Sequence, residues 1–128
     1  MVLAAALPAF VNFWQMSRIM SLRKKHDIKY PTMVSEKHKD FNCAQRAHHN
    51  TLELLPFFFP ALLLGGIRYP LYAGITGAVF SVGRVMYSLG YYTGNPEKRV
   101  PGALISELAL VGLLGLNILT GANILGWW

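Results

Sequence analysis

The chain has 128 residues, of which 53% are hydrophobic and 14% charged, with a formal net charge of +6. A soluble domain carries about 25% charged residues, so this balance argues against a water-solvated globule and for lipid as the surrounding medium. A single cysteine, Cys43, excludes an intramolecular disulfide and a cysteine-rich metal centre, leaving an inert small residue as its simplest role.

Four apolar stretches, each near the roughly 20 residues that a bilayer core requires, predict one all-α domain over residues 1–128. Its expected architecture is an integral-membrane four-helix bundle. The first span covers about residues 2–20 and is interrupted by Asn12, Gln15 and Arg18. A signal peptide fits it poorly, because no basic region precedes it and no small-residue cleavage site follows. Arg18, near its end, can snorkel to the interface. Pro31 closes the segment that follows.

The second span covers about residues 44–64. Gly65, Gly66, Tyr69 and Pro70 then predict a tight hairpin into the third span, about residues 71–92. Gly94, Asn95 and Pro96 close that span, and the fourth runs over about residues 103–125. Glycines within the spans suit close helix packing in lipid, and Pro56 removes a helical donor and can kink the second span. Basic residues cluster after the first span (Arg23, Lys24, Lys25, Lys29, Lys37, Lys39) and after the third (Lys98, Arg99). The positive-inside rule therefore turns those connections to the cytosol and both termini to the other side. The same charges fit anionic lipid head groups, so membrane lipid rather than nucleic acid is the expected partner.

Polar residues inside the spans are the informative ones. Arg46, Asn50 and Glu53 fall at i, i+4 and i+7, with His49 on the same face. Arg84, Tyr87 and Tyr91 fall at i, i+3 and i+7 in the third span, and Glu107 sits in the fourth. A charge at mid-bilayer costs about 2.5–3.5 kcal/mol on insertion scales, so these groups must face one another or a wet cleft. The residues near the helix ends predict a polar pocket open to the cytosol. Arg84 and Glu107 lie deeper and read as structural, with Arg84 pairing with Glu53 or Glu107 to fix register. Tyr92 is as suited to an interfacial anchor as to a site. His26, His38, His48 and His49 do not suggest a metal site, since the two on the second span are adjacent and point apart. No metal is expected. No HExxH, GxSxG or P-loop pattern occurs.

Three passages carry a family likeness. RAHHNTLELLP resembles the R-A-x-x-N-x-x-E-x-x-P signature of the MAPEG family, the membrane-associated proteins of eicosanoid and glutathione metabolism. RKKHDIKYPTM and GRVMYSLGYYTGNPEKRVPGAL are similar to its type 3 microsomal glutathione S-transferase branch, in the same order and spacing. The resemblance implies a homotrimer with active sites between neighbouring subunits near the cytosolic surface. It also implies residence in the endoplasmic reticulum, with the outer mitochondrial membrane as another host.

The implied activity is a glutathione transferase with glutathione-dependent peroxidase activity, acting on a lipophilic electrophile or a lipid hydroperoxide. Glutathione is the co-substrate. By the same resemblance, Arg46, Asn50 and Glu53 hold its carboxylates and amino group, and Tyr87 and Tyr91 close around it. Arg23 reaches in from the adjacent subunit, and His48 stands where other branches have Gln. Arg99 matches the arginine that activates the thiol, with Lys98 as the alternative because spacing after Tyr91 varies. A leukotriene-synthase-like activity is a further expectation, against which stand two departures: Lys24 in place of an arginine and Leu54 in place of a tyrosine.

One cation suffices for the chemistry. A thiol of pKa about 8.5 is only a few per cent thiolate at neutral pH. Lowering it by about 2.5 units needs roughly 3.4 kcal/mol, and a guanidinium about 4 Å away supplies on the order of 4 kcal/mol at an effective dielectric of 20. Two other expectations remain open: a non-catalytic MAPEG-fold subunit that binds and presents lipid, or an accessory subunit of a larger membrane complex.

Overall fold

The computed structural model describes residues 1–127 and contains four α-helices: α1 (Val2–His26), α2 (Lys39–Arg68), α3 (Pro70–Tyr92) and α4 (Val100–Ile124). A short 3-10 turn, Pro96–Arg99, leads into α4. α1 packs on α2 and α3, and α4 packs on the same two helices from the other side, so α2 and α3 form the centre of the bundle.

The helices have 25, 30, 23 and 25 residues, or about 35–45 Å at 1.5 Å per residue. All four exceed the roughly 30 Å of a hydrocarbon core. Length and composition together qualify two stretches as membrane-crossing: Lys39–Arg68 and Pro96–Ile124. α1 and α3, also expected as spans, fall short in mean apolarity for a physical reason. Several of their polar residues point inward, lowering the mean apolarity of helices whose outer faces are apolar. Gln15, Ser81, Arg84 and Ser88 are buried, while Phe10, Phe13 and Met20 of α1 and Leu71, Val82 and Leu89 of α3 are exposed. An apolar exterior around polar interior groups is what lipid solvation requires.

Two boundaries differ from expectation. α2 runs through Gly65 and Gly66 to Arg68, so the hairpin is reduced to Tyr69, with Pro70 starting α3. Both glycines serve packing: a Cβ on Gly65 would lie 2.9 Å from Asn117 Oδ1 and 3.1 Å from Leu116 Cβ. α1 continues past its apolar stretch to His26, where Arg23, Lys24, Lys25 and His26 complement the helix dipole. It stops at Asp27, which adopts the left-handed conformation (φ 53°).

The interior is stratified. Towards the α2–α3 hairpin, Phe58 stacks on Phe80 with ring centroids 4.2 Å apart, among Leu62, Ala73 and Leu113. Towards the opposite end lies a polar layer. Gln15 Nε2 donates to Thr51 Oγ1 (3.0 Å) and Ser88 Oγ (2.6 Å), tying α1 to α2 and α3. α3 and α4 then meet almost backbone to backbone: a Cβ on Gly102 would collide with the main chain of Met86 and Tyr87. A Cβ on Gly90 would likewise collide with the main chain of Lys98 and Arg99. These contacts seat the 3-10 turn against α3, and through it the side chains that follow.

Candidate functional site

At the end of the bundle bearing the 27–38 and 93–99 connections, a cavity of about 380 Å³ opens between α2, α3 and the start of α4. Arg46 and Asn50 reach it from α2, Tyr87 and Tyr91 from α3, and Arg99 and Glu107 from the far side. Helical spacing explains the convergence. Positions 46 and 50, 87 and 91, and 103 and 107 are each four apart, hence on one face of their helix. The α4 side adds Ala103 and Leu104, so charged groups meet an apolar wall.

Several of these polar groups are held by neighbours. Arg46 Nη1 donates to Glu53 Oε1 at 3.3 Å, both side chains being more than half exposed. Tyr87 and Tyr91 are buried and pack edge to face, centroids 5.2 Å apart. Arg99 donates from Nη1 to the Pro96 carbonyl (2.7 Å) and lies 5.6 Å from the Tyr91 ring centre. The preceding turn is fixed by Gly94 at φ 84° and by Asn95, whose Oδ1 accepts from the Glu97 amide. Lys98 instead lines a separate groove with Met86, Leu89 and Thr93. Of the two residues offered for thiol activation, only Arg99 lines the cavity.

Arg84 sits beneath this cavity, 1% exposed. Among the described residues it forms no ion pair, so the expected partnership with Glu53 or Glu107 is not made. Its guanidinium donates instead to Asn50 Oδ1 (2.8 Å), Thr51 Oγ1 (3.2 Å) and Ser106 Oγ (3.3 Å), and stacks 4.0 Å from the Tyr87 ring centre. With Asn50 Oδ1 occupied, the amide Nδ2 is left to act as a donor. Glu107, read from sequence as structural, stands in the cavity wall. The signal was available: Val100, Ala103, Leu104 and Glu107 follow the i, i+3, i+4, i+7 pattern and all line the cavity.

Arg23 and His48 lie apart from this group. With Ile19, Tyr30, Gln45 and His49 they line a second cavity, of about 200 Å³, between α1, the 27–38 connection and another face of α2. Arg23 is buried, donating to the Lys29 carbonyl (3.4 Å) and the Thr32 carbonyl (2.7 Å) and stacking on Tyr30 and Phe41. It thus fastens the connection to the end of α1. His48 Nε2 pairs with Asn12 Oδ1 at 2.7 Å. Within one chain, Arg46, Asn50, Tyr87, Tyr91 and Arg99 are brought together, Glu53 reaches them through Arg46, and Arg23 and His48 are not.

Nearby, at the junction of α1 and α2, His26, His38 and Asp40 have ligand atoms within 4.8 Å of one another. Two of the four histidines set aside on sequence grounds are therefore neighbours.

Comparison with known proteins places these features in context. The model of the MAPEG family matches residues 1–119. An uncharacterized protein of Synechocystis, sll1147, is 40% identical over 101 residues, covering 76% of this chain and 72% of that protein.

Proposed function

The chain belongs to the MAPEG family, and from that premise we propose that it is a membrane-bound glutathione transferase with glutathione-dependent peroxidase activity. The observation that carries the proposal is the cavity in which three helices present Arg46, Asn50, Tyr87, Tyr91 and Arg99 beside an apolar wall. Its volume falls in the range of small-molecule sites. Guanidinium groups suit the carboxylates of the tripeptide, Glu53 and Glu107 suit its ammonium, and the Asn50 amide suits a peptide carbonyl. Arg99 then serves as the cation beside the thiol, lowering its pKa by the electrostatic margin worked out above.

Two reactions follow from one thiolate. With an epoxide or conjugated alkene, sulfur forms the C–S bond and the displaced electron pair takes up a proton. With a lipid hydroperoxide, two glutathione molecules supply the electrons, giving the alcohol, water and glutathione disulfide. In both, the lipid substrate arrives through the apolar side of the cavity.

A homotrimer accommodates the second cavity. Arg23 and His48 lie on another face of the chain, where a neighbouring copy could set them beside its own Arg46 and Asn50. The basic 27–38 and 93–99 connections orient the site towards the cytosol. Purified protein in detergent should consume glutathione with a lipophilic epoxide or a lipid hydroperoxide, and Arg46→Ala should raise the glutathione KM. Binding of fatty acid without any glutathione binding would replace this function with that of a lipid-presenting subunit.

A further inference from the structure

The junction of α1 and α2 holds a group of side chains that the glutathione site does not use. His26 ends α1, His38 precedes α2, and Asp40 lies in the first turn of α2. His26 Nε2 is 2.9 Å from Asp40 Oδ2. The rings of His26 and His38 stack with centroids 3.9 Å apart and planes 19° from parallel. One ligand atom from each of the three residues lies within 4.8 Å of the others, and all three residues are half-buried.

We propose that His26, His38 and Asp40 form a binding site for a divalent transition ion of the zinc class, which clips the end of α1 to the start of α2. Two imidazoles and a carboxylate match the donor preference of such ions, with bonds of about 2.0–2.2 Å. Donors around one tetrahedral ion stand roughly 3.3 Å apart, so side-chain rotations that close the separations from at most 4.8 Å by up to about 1.5 Å complete the set. Three protein ligands leave a position for water. Magnesium and calcium are unsuited: they favour oxygen donors, of which the group offers one side chain. The flanking Lys25, Lys37 and Lys39 also oppose any cation held by charge alone. Affinity must come from imidazole coordination.

The site encloses the 27–38 connection, the same segment that Arg23 holds through Lys29 and Thr32. Both ends of that segment are then fixed, one by a guanidinium and the other by an ion, and the loop would gain order on loading.

The test uses full-length protein without a polyhistidine tag, stripped with chelator and titrated with Co²⁺ in detergent. We expect one Co²⁺ per chain with a visible ligand-field band, displaced by Zn²⁺. His26→Ala and His38→Ala should each weaken binding beyond the roughly 10–100-fold that loss of a mere supporting residue costs. His49→Ala should leave it unchanged. Zn²⁺ should also slow tryptic cleavage after Lys29 and Lys37 in the parent protein. If His38→Ala does not fold, Asp40→Asn takes its place, with the same expected loss. Absence of a Co²⁺ band, or a band that survives in the His26 and His38 variants, would overturn the proposal and leave a hydrogen-bonded His–Asp pair only.

Discussion

Replacing Arg84 with Met separates a supporting role in the site from a structural one. The change removes three hydrogen bonds and the stacking on Tyr87. It also removes a buried charge without leaving a counter-charge behind. Thr51 Oγ1 still accepts from Gln15, and Ser106 Oγ still donates to the Gly102 carbonyl at 3.0 Å. Only Asn50 Oδ1 loses its hydrogen-bond partner, and it lies at the partly open cavity. Exchanging buried ionic groups for packed apolar ones is often neutral or stabilising by about 1–4 kcal/mol. We therefore expect thermal stability in detergent within about 2 kcal/mol of the parent. Glutathione affinity should fall about tenfold, or 1.4 kcal/mol, because the Asn50 amide is no longer aimed. Calorimetric titration of Arg84→Met, Asn50→Ala and the double variant decides the matter. If Arg84 acts through Asn50, the double variant loses no more than Asn50→Ala alone. Additive losses in affinity, or a collapse in stability with affinity unchanged, would refute the reasoning.

Arg99→Ala should lower the conjugation rate at neutral pH about thirtyfold, the ratio between a mostly ionised thiol and one at its ordinary pKa of about 8.5, while glutathione affinity changes far less. Lys98→Ala should be nearly silent, since Lys98 lines another groove and not this cavity; stopped-flow conjugation assays compare the two, and the reverse ranking would transfer the role to Lys98. Glu53→Gln should leave stability within about 1 kcal/mol, as expected for a solvent-exposed ion pair, yet weaken glutathione binding about tenfold or more; unchanged affinity by calorimetry removes Glu53 from the site. Gly90→Ala should destabilise the fold by about 1–3 kcal/mol through overpacking and weaken glutathione binding by shifting the turn that carries Arg99. A parent-like melting curve would show that α3 and the turn are not in the contact described.

What was legible in the sequence was whatever helical periodicity encodes. The stripes 46/50 and 84/87/91 predicted a shared polar site, and their residues meet as that spacing requires. Gly65 and Gly66 misled because a glycine pair signals a turn locally, whereas here Gly65 admits Leu116 and Asn117 of a helix some fifty residues away and Gly66 admits Met1. Lys98 and Arg99 could not be separated by counting, since the 3-10 turn aims them by its seating on Gly90. Gln15 looked like an interruption of a span and is a buried hub joining α1 to Thr51 and Ser88. His26 and His38 are twelve residues apart across an irregular connection, so no periodicity announces their contact. Arg84 was read towards a carboxylate because charge invites charge, but neutral acceptors on α2 and α4 satisfy it.

The most direct test of the glutathione site is an ultraviolet difference titration of the purified, detergent-solubilised protein with glutathione near neutral pH. A saturable thiolate absorbance that Arg99→Ala abolishes is the expected result. No thiolate signal from protein whose helical content and assembly are intact would contradict the proposed activation of glutathione in this cavity.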